Sequence, residues 1–416
     1  MKIRGQRGKY IFMMTKKQVV DSILQDMENH YEEAVSWRRQ LHKNPELSFQ
    51  EHKTVEFIVE KLREFGFEVK TGIGGNGLRA TLYGSHEGPT IALRADFDAL
   101  PICDLKEVAY KSQNDGVMHA CGHDGHTAAL LATARIMANY RENLHGKMVF
   151  IFQHAEETPP GGATFMIADG VLEDVDYIFA AHLDSSQPVG TISVGEGFRM
   201  AAVDKFKVTL QGLGGHGARP HESIDSIVLG GQIVNALQQI VSRRLNPFDP
   251  AVVTIGVFHA GTAFNIIADS AVIEGTVRTL TEEVRQKVKQ EIYTIVNGLV
   301  DAANANVEID YLHGYPSLYN HPAETTLVKT LFEKTFGSEK VIELKQTMAA
   351  EDFSYYLLER PGTFFKVGSN NGKVHTKYPH HHPKFDFDEQ ALLMIQKSFV
   401  AIVAHYLLPE NNQEMK

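Results

Sequence analysis

Two patterns in the 416-residue sequence predict an α/β fold, with a mostly parallel central sheet flanked by helices and an inserted ferredoxin-like (βαββαβ) domain. Short apolar runs alternate with helical segments in the first 200 residues and again near the C-terminus, which is typical of parallel sheets. Between 203 and 312 the order becomes strand, helix, strand, strand, helix, strand. We therefore expect a catalytic domain in two parts, 15–200 and 313–410, an inserted domain at 201–312, and a disordered extension at 1–14.

Hydrophobic periodicity locates the elements of the catalytic domain. Apolar residues recur at helical spacing over 18–42, and a second helix over about 51–65 is expected to end at Gly66. Four short apolar runs then predict strands, and a helix begins near His126, between the second and third runs. The runs lie at 78–84, 90–96, 147–153 and 177–183, and a strand at 363–368 and a helix at 388–406 follow near the C-terminus.

The inserted domain has elements of its own. Thr281 is a suitable N-cap for its second helix, and Glu282 and Glu283 in the first turn suit the helix dipole. The expected strands are 204–212, 251–258, 271–280 and 306–312, and the expected helices are 222–240 and 282–303.

Composition and charge exclude several classes of protein. The net charge of −10 and the absence of a Lys/Arg-rich block argue against nucleic acid as a partner. The two cysteines, Cys103 and Cys121, are too few for a disulfide framework and are typical of a reducing compartment. The N-terminal apolar patch is shorter than the core of a signal peptide, and no stretch is predicted to span a bilayer. We expect a cytoplasmic protein with no membrane partner.

Acidic residues and histidines follow three of the predicted strands directly. In open α/β sheets, sites form beyond the carboxyl ends of strands, so these residues are expected to meet there. Two further segments join them, His119–His126 and the run His380–His382. The residues after the strands are Asp96 and Asp98, then His154, Glu156 and Glu157, and then His182.

These residue types suit a metal hydrolase. Cys121 lies within three residues of two histidines in a glycine-rich turn, and a thiolate with imidazoles suits Zn²⁺ or another borderline cation. After a buried strand, neighbouring side chains point opposite ways, so one of Glu156 and Glu157 can bind metal while the other removes a proton. Each residue also has a structural reading, as a hydrogen-bonded histidine, a buried thiol, a solvated acidic pair or a surface histidine tract.

Other catalytic classes lack their motifs. The sequence has no GxSxG nucleophile elbow, no Walker loop and no GxGxxG that opens a helix after a strand. The glycine-rich run at 72–77 is followed by a strand instead of a helix, and we interpret it as a loop.

At these residues the sequence resembles the metallopeptidase superfamily of aminoacylases, carboxypeptidase G and succinyl-diaminopimelate desuccinylase. Within it, the chain is most similar to the branch of bacterial N-acyl-amino-acid amidohydrolases, hippurate hydrolases and plant indole-acetyl-amino-acid hydrolases. The resemblance runs in order through nearly the whole chain, and its CGHDGH motif is highly specific. The matching segments are 38–51, 93–102, 118–131, 156–157, 214–221, 261–278, 349–356 and 381–389.

The resemblance implies roles for residues of the catalytic domain. The general base falls on Glu156, and Asp98 is implied to orient a ligand histidine. In the family pattern a variable residue separates the histidine from the proline, and this selects His381 over His382. The resemblance also implies that the Cys121 thiolate bridges two divalent cations, which could be Mn²⁺, Zn²⁺, Co²⁺ or Ni²⁺. The implied ligands are Cys121, His123, Glu157, His182 and His381.

The resemblance also implies roles for the inserted domain, as a lid and as the interface of a homodimer. His216 would reach the substrate carbonyl or carboxylate and stabilise the oxyanion, and Asn265 and Arg278 would hold the substrate carboxylate. As alternatives, Arg278 could form a surface ion pair and Asn265 could be a turn residue.

The expected activity is metal-dependent hydrolysis of N-acyl amino acids, with attack by metal-bound water and Glu156 as general base. A dipeptidase or carboxypeptidase with the same dinuclear centre is the alternative within the enzyme class. A metal-binding or peptide-binding protein that has lost catalysis is disfavoured, because both glutamates and every candidate ligand are present.

Overall fold

The computed structural model describes residues 14–410 and the short strands Lys2–Arg4 and Tyr10–Phe12, which pair antiparallel. Residues 1, 5–9, 13 and 411–416 lie outside the described part of the chain. Half of the residues predicted to be disordered, 1–14, lie outside the described part, and the prediction stays a prediction.

The secondary structure comprises ten α-helices and eighteen strands within the described residues. The helices are α1 Lys16–Asn29, α2 Tyr31–Lys43, α3 His52–Glu64, α4 His123–Ala138, α5 Gly162–Ala168, α6 Ser226–Leu237, α7 Glu282–Ala303, α8 Pro322–Phe336, α9 Phe353–Glu359 and α10 Gln390–Leu407. The strands are β1 Lys2–Arg4, β2 Tyr10–Phe12, β3 Glu68–Ile73, β4 Gly77–Tyr83, β5 His86–Asp96, β6 His145–Gln153, β7 Tyr177–Pro188, β8 Ile192–Val194, β9 Gly197–Met200, β10 Ala202–Gln211, β11 Gly215–His216, β12 Ala251–Ala260, β13 Ile266–Ile267, β14 Ser270–Thr279, β15 Asn306–His313, β16 Leu318–Asn320, β17 Val341–Glu343 and β18 Gly362–Asn370.

The chain forms two compact units. The first comprises the residues up to Glu196 together with Asn320–Leu344 and the chain from Tyr356 onward. The second comprises Gly197–Tyr319 and Lys345–Tyr355. The segment Lys345–Tyr355 falls within the predicted second part of the catalytic domain, but its contacts place it in the second unit.

The first unit contains an eight-stranded sheet in the order β17-β8-β18-β7-β5-β6-β4-β3. The four central strands, β18, β7, β5 and β6, are mutually parallel. Helices α4 and α10 pack on this sheet. This is the mostly parallel α/β fold that the sequence predicted, and it brings the carboxyl ends of β5, β6 and β7 to one edge.

Helix α10 is long and apolar enough to cross a membrane by length and composition alone, contrary to the expectation that no stretch would qualify. Its mean hydropathy is 1.3, and 67% of the helix is buried inside the protein. Such burial is typical of the core helix of an α/β domain, which is apolar on most of its circumference because it packs on several sides.

Two predicted helices have different bounds. The helix predicted at 18–42 is two helices, because the chain leaves helical geometry at His30, whose ring lies 2.7 Å from the Asp26 carbonyl oxygen. The helix predicted at 222–240 begins at Ser226, since the Asp225 side chain accepts hydrogen bonds from the backbone amides of Ile227 and Val228.

The second unit contains a four-stranded antiparallel sheet in the order β12-β14-β10-β15. In chain order its elements are β10, α6, β12, β14, α7 and β15. The helices and the sheet enclose a separate hydrophobic core that includes Phe206, Ile233, Ile273 and Ile292. The strands β12 and β15 form the edges of the sheet.

Candidate metal centre

The N-terminus of α4 supplies two of the candidate ligands. The helix begins at His123, three residues before the predicted start, and Gly122 has a left-handed φ of 92°. A Cβ atom at Gly122 would lie 3.0 Å from the Leu183 side chain, so the turn packs closely against β7. This glycine turn presents both Cys121 and His123 to the carboxyl edge of the sheet.

The structure brings the five predicted ligands together in two groups that share Cys121. Within each group, the potential ligand atoms lie within 4.8 Å of one another. The Cys121 Sγ atom is 3.5 Å from His182 Nε2, and His381 Nε2 is 3.4 Å from Glu157 Oε1. The first group is Cys121, His123 and His182, and the second is Cys121, Glu157 and His381.

The histidine run places one ring in this cluster. His380 lies against the His182 ring at 5.4 Å and accepts a hydrogen bond from the Ser185 amide. His382 stacks on Tyr378, with the ring centroids 4.5 Å apart. Only His381 of the three approaches Cys121 and Glu157, and its φ of 66° turns the chain there.

Asp98 anchors both His123 and the loop that carries the glutamates. Its Oδ1 is 3.1 Å from His123 Nδ1, and its Oδ2 accepts hydrogen bonds from the Ser48 hydroxyl and the Glu157 amide. This contact leaves His123 Nε2 facing the cluster, and it matches the orienting role that the resemblance implied.

The donor set fits a cation. His123 Nε2 and Glu157 Oε1 are both buried and have no hydrogen-bond partner among the described residues, although they lie only 3.8 Å apart. Buried polar atoms are rarely left without a partner, so these two atoms, one from each group, are suited to bind a cation.

Burial and neighbouring charges shift the pKa values of the cluster. Burial raises the pKa of the Cys121 thiol, and Glu157 adds to this effect, so the thiol holds its proton at neutral pH until a cation displaces it. The contacts with Cys121 and Glu157 raise the pKa of His381 to about 10. Burial and the nearby His126 and His380 lower the pKa of His182 well below its usual value.

The glutamate pair differs from the geometry expected of a strand. Beyond Gln153 the chain leaves β6 and passes through Ala155, which has a left-handed φ of 54°. Glu156 and Glu157 consequently do not point opposite ways, and one oxygen of each lies within 4.8 Å of His123. The prediction that the two side chains point opposite ways was wrong, because side chains alternate only while the backbone remains extended.

Asp96, His123 and His126 also approach one another, but hydrogen bonds account for the contacts of Asp96 and His126. His126 Nδ1 donates to Asp96 Oδ1 at 2.6 Å, and His126 Nε2 accepts the Leu183 amide at 2.9 Å. Asp96 Oδ2 also accepts a hydrogen bond from Arg94 Nη1 at 2.6 Å. With both ring nitrogens engaged, His126 supports the end of β7 next to His182.

The other predicted site residues belong to the second unit and do not gather within it. His216 and Asn265 are neighbours, because Gly217 donates to the Asn265 carbonyl oxygen at 2.9 Å. Arg278 lies near the end of β14, eight residues beyond its first residue, Ser270, and an extended strand of that length spans about 26 Å. The pair is close to the Ser270 end, and so a single copy of this unit does not bring all three side chains together.

One supporting residue was not assigned from the sequence. Glu51 is fully buried, and its carboxylate accepts a hydrogen bond from the Ala155 amide at 2.9 Å. The only signal in the sequence was its place at the end of the matching segment 38–51, because the contact with the glutamate loop joins residues more than 100 positions apart.

Comparison with known proteins identifies the family. The description of the matching family is Peptidase family M20/M25/M40, and the match covers residues 92–405. The chain belongs to this family. It is therefore a hydrolytic enzyme, and relatives described as a deacetylase and a carboxypeptidase support metal-dependent hydrolysis of amide bonds.

The relatives are similar over almost their full lengths. An N-acetyl-L-cysteine deacetylase of Bacillus subtilis (strain 168) is 40% identical over 91% of this chain and 89% of its own length. Thermostable carboxypeptidase 2 of Saccharolobus solfataricus is 39% identical over 93% of this chain and 98% of its own. A solved Bacillus subtilis structure, described as a dinuclear metal binding peptidase, has a TM-score of 0.79 with 35% identity and covers 91% of this chain and 98% of its own.

Proposed function

We propose that this enzyme is a dinuclear metal-dependent amidohydrolase that removes the acyl group, for example an acetyl group, from N-acyl amino acids. The observation that carries the proposal is the shared thiol, since Cys121 belongs to two groups of potential ligands, next to the buried Glu156 and the partly buried Glu157. The dinuclear site of the Bacillus subtilis structure and the substrate of the deacetylase relative support the assignment.

The two groups provide one site each. Cys121, His123 and His182 would hold one cation, and Cys121, Glu157 and His381 would hold the other. Such mixed sulfur, nitrogen and oxygen ligands suit Zn²⁺, Mn²⁺, Co²⁺ and Ni²⁺. When bound, divalent cations polarise a carbonyl group and lower the pKa of water.

Glu156 is assigned the transfer of protons. The residue is buried, and its carboxylate lies within 4.8 Å of His123 and Glu157, so it can reach a water molecule beside them. In this assignment Glu156 accepts a proton from the attacking water and delivers it to the nitrogen of the leaving amino acid. The same distances would also allow Glu156 to bind a cation, and one substitution separates the two roles.

The test is Glu156→Gln, which keeps the size of the side chain but removes its basicity. We expect kcat to fall by roughly two to four decades, the usual contribution of a general base, while two metal ions remain bound. Turnover of N-acetyl amino acids and metal content by mass spectrometry are measured on the same sample. Near-normal turnover would refute the role of base, and loss of one ion would make Glu156 a ligand.

The second unit is proposed to bind the substrate and to form a homodimer. Arg278 is half-buried and makes no ion pair with the described residues. Its guanidinium is therefore available to donate hydrogen bonds to the carboxylate of the substrate. His216 and Asn265 are both exposed. Because they lie at the opposite end of β14 from Arg278, a second copy of the chain would be needed to place all three residues around one substrate.

The exposed face of the second unit supports the dimer. The edge strand β12 and helix α6 carry the exposed side chains of Phe258, Ile227 and Val228. The strand and the helix contact each other through these residues. A Cβ atom added at Gly230 would lie 2.7 Å from the Phe258 ring, and one added at Gly261 would lie 3.1 Å from the Ile227 side chain. The apolar surface is therefore continuous. An unpaired strand edge beside an apolar surface is a common site of association.

A carboxypeptidase or dipeptidase activity is the second candidate, and the thermostable carboxypeptidase relative favours it. A screen of the metal-loaded enzyme against N-acetyl, benzoyl and indole-acetyl amino acids and against dipeptides distinguishes the two. Release of amino acid from the N-acyl compounds supports the amidohydrolase, and release only from dipeptides supports the second candidate. Cytoplasmic location stays a prediction.

A further inference from the structure

Glu51 joins three separate segments of the first unit. Its Oε1 accepts hydrogen bonds from the backbone amides of Phe49 and Ala155, both at 2.9 Å. Its Oε2 accepts a hydrogen bond from the Asn76 side chain at 2.8 Å. The side chain is completely buried, so water does not compete for these three bonds.

The two amides on Oε1 belong to the unusual backbone at this site. Phe49 has φ 67° and Ala155 has φ 54°, both in the left-handed region that residues with a Cβ atom seldom adopt. Such conformations persist only where the surrounding structure imposes them. One carboxylate oxygen therefore holds two strained residues at once.

The turn at Ala155, which Glu51 holds, lies directly before Glu156 and Glu157. Ala155 precedes Glu156, and its amide is fixed by Glu51, whereas the amide of Glu157 is fixed by Asp98 at 2.9 Å. The backbone of Glu156 is thus held on both sides by buried carboxylates. A shift of the first of these contacts would move both glutamates relative to His123.

A buried carboxylate is a costly choice for this position. Burial raises the pKa of Glu51 to about 7, and the charge of Asp98 contributes. If this side chain only filled space, an apolar residue at position 51 would make the folded protein more stable. The hydrogen bonds to the amides explain why an acceptor is needed.

We infer that Glu51 is a positioning residue: by holding the left-handed turn at Ala155, it sets the place of Glu156 and Glu157 in the metal centre. The inference rests on the proposed function, which gives these two glutamates their roles. It adds a requirement on a residue that belongs to neither group of proposed ligands.

The chain offers a matched control in Glu46. Its carboxylate likewise accepts three hydrogen bonds. Two come from the backbone amides of Lys53 and Thr54, and one comes from the Thr54 hydroxyl. These bonds hold the start of α3 instead of the glutamate loop. Glu46→Ala therefore removes the same number of hydrogen bonds but leaves Glu51, the acceptor for the Ala155 amide, in place.

The experiment compares Glu51→Ala, Glu51→Gln and Glu46→Ala with the wild-type protein. Zn²⁺ or Mn²⁺ is titrated into the metal-free proteins by calorimetry, and kcat and KM are measured with N-acetyl amino acids. We expect Glu51→Ala to weaken the affinity of one cation by about 10–100-fold, as is usual for groups that support ligands, and to lower kcat more than it raises KM. Glu51→Gln, which retains an acceptor oxygen, should recover most of both, and Glu46→Ala should resemble the wild-type protein in both.

Two results would overturn the inference: metal affinity and kcat of Glu51→Ala equal to those of Glu46→Ala, or a Glu51→Gln variant as impaired as Glu51→Ala. If Glu51→Ala does not fold, Glu51→Asp replaces it with the same expectation, because the shorter side chain withdraws the carboxylate from the Ala155 amide. Failure of the wild-type protein to bind metal or to hydrolyse its substrates would instead refute the proposed function.

Discussion

At the scale of single residues, the chemistry of the centre depends on one thiol. Cys121 is common to both ligand groups, whereas His182 and His381 each belong to one. Burial raises the pKa of the thiol, so the metal-free centre holds a proton that the first cation to bind would displace. The resemblance implied these five ligand positions and a bridging Cys121 thiolate, and the folded chain brings the five residues into two groups that share Cys121.

Removal of the shared thiol is predicted to affect both cations. Cys121→Ala should lose both ions, and His182→Ala and His381→Ala should each lose one, because each histidine belongs to one group. Metal content after equilibrium dialysis measures the stoichiometry. Cys103→Ala is the control, because this exposed cysteine lies in no candidate ligand group among the described residues. Two ions retained by Cys121→Ala would show that the thiol is not shared.

Glu51 is predicted to make stability depend on pH. Its pKa rises from an ordinary value of 4.5 to about 7 on folding, mainly because of burial. Below pH 4.5 the Glu51 carboxyl is protonated in both the folded and the unfolded protein. Between pH 4.5 and about pH 7 it is protonated only in the folded protein. The free energy of unfolding should therefore fall by about 1.4 kcal/mol per pH unit in this window, or roughly 3 kcal/mol in all.

The measurement is urea denaturation of the metal-free wild-type protein and Glu51→Gln at pH 5 and pH 8. The wild-type protein should lose up to a few kcal/mol more than the variant on going to the higher pH, since glutamine does not titrate. Equal losses in the two proteins would show that Glu51 keeps its ordinary pKa.

At the scale of secondary-structure elements, turns between strands and helices decide where the ligands point. The sequence located the five strands β4, β5, β6, β7 and β18 to within about five residues, because their apolar runs are continuous. It did not predict the outer strands β3, β8 and β17. It misjudged the segment after β6, where the left-handed Ala155 ends the alternation of side chains. A positive φ at an alanine leaves no local signal, since a distant carboxylate imposes it.

The turn before α4 is predicted to tolerate no side chain at Gly122. Gly122→Ala would place a Cβ atom 3.0 Å from Leu183 at a φ of 92°, which costs about 1–2 kcal/mol for the backbone alone and displaces both Cys121 and His123. Gly116→Ala is the matched control, with a φ of 77° and no atom within 4 Å of the added Cβ.

Thermal unfolding and metal titration of the two glycine variants separate strain from misplacement. Both should lose stability, and only Gly122→Ala should lose metal affinity, by tenfold or more. Equal metal affinities in the two variants would mean that the turn does not control the positions of the ligands.

At the scale of the whole molecule, the chain comprises two compact units, each with a hydrophobic core. The first contains all five proposed ligands, and the second contains the three residues that the resemblance assigns to the substrate. In the second unit His216 and Asn265 lie at the opposite end of β14 from Arg278, and this separation is the structural reason to expect a second copy of the chain.

A charge on the apolar face of the second unit is predicted to dissociate the proposed homodimer. Val228→Glu places a carboxylate on a side chain that is 57% exposed in the single chain and would be buried between copies. Leu312→Glu is the control, because Leu312 is 64% exposed on the opposite edge strand, β15. Light scattering after size-exclusion chromatography should give half the mass for Val228→Glu alone, and a dimeric Val228→Glu would place the interface elsewhere.

The sequence by itself determined the residue types of the centre and the α/β sheet that carries them, since apolar runs and the polar groups at their ends are local features of the chain. Only the tertiary structure decided that Glu156 and Glu157 both approach His123, and that Glu51 holds the Ala155 turn. The reason is physical: these outcomes depend on contacts between segments that lie tens to hundreds of residues apart, and local patterns do not encode such contacts.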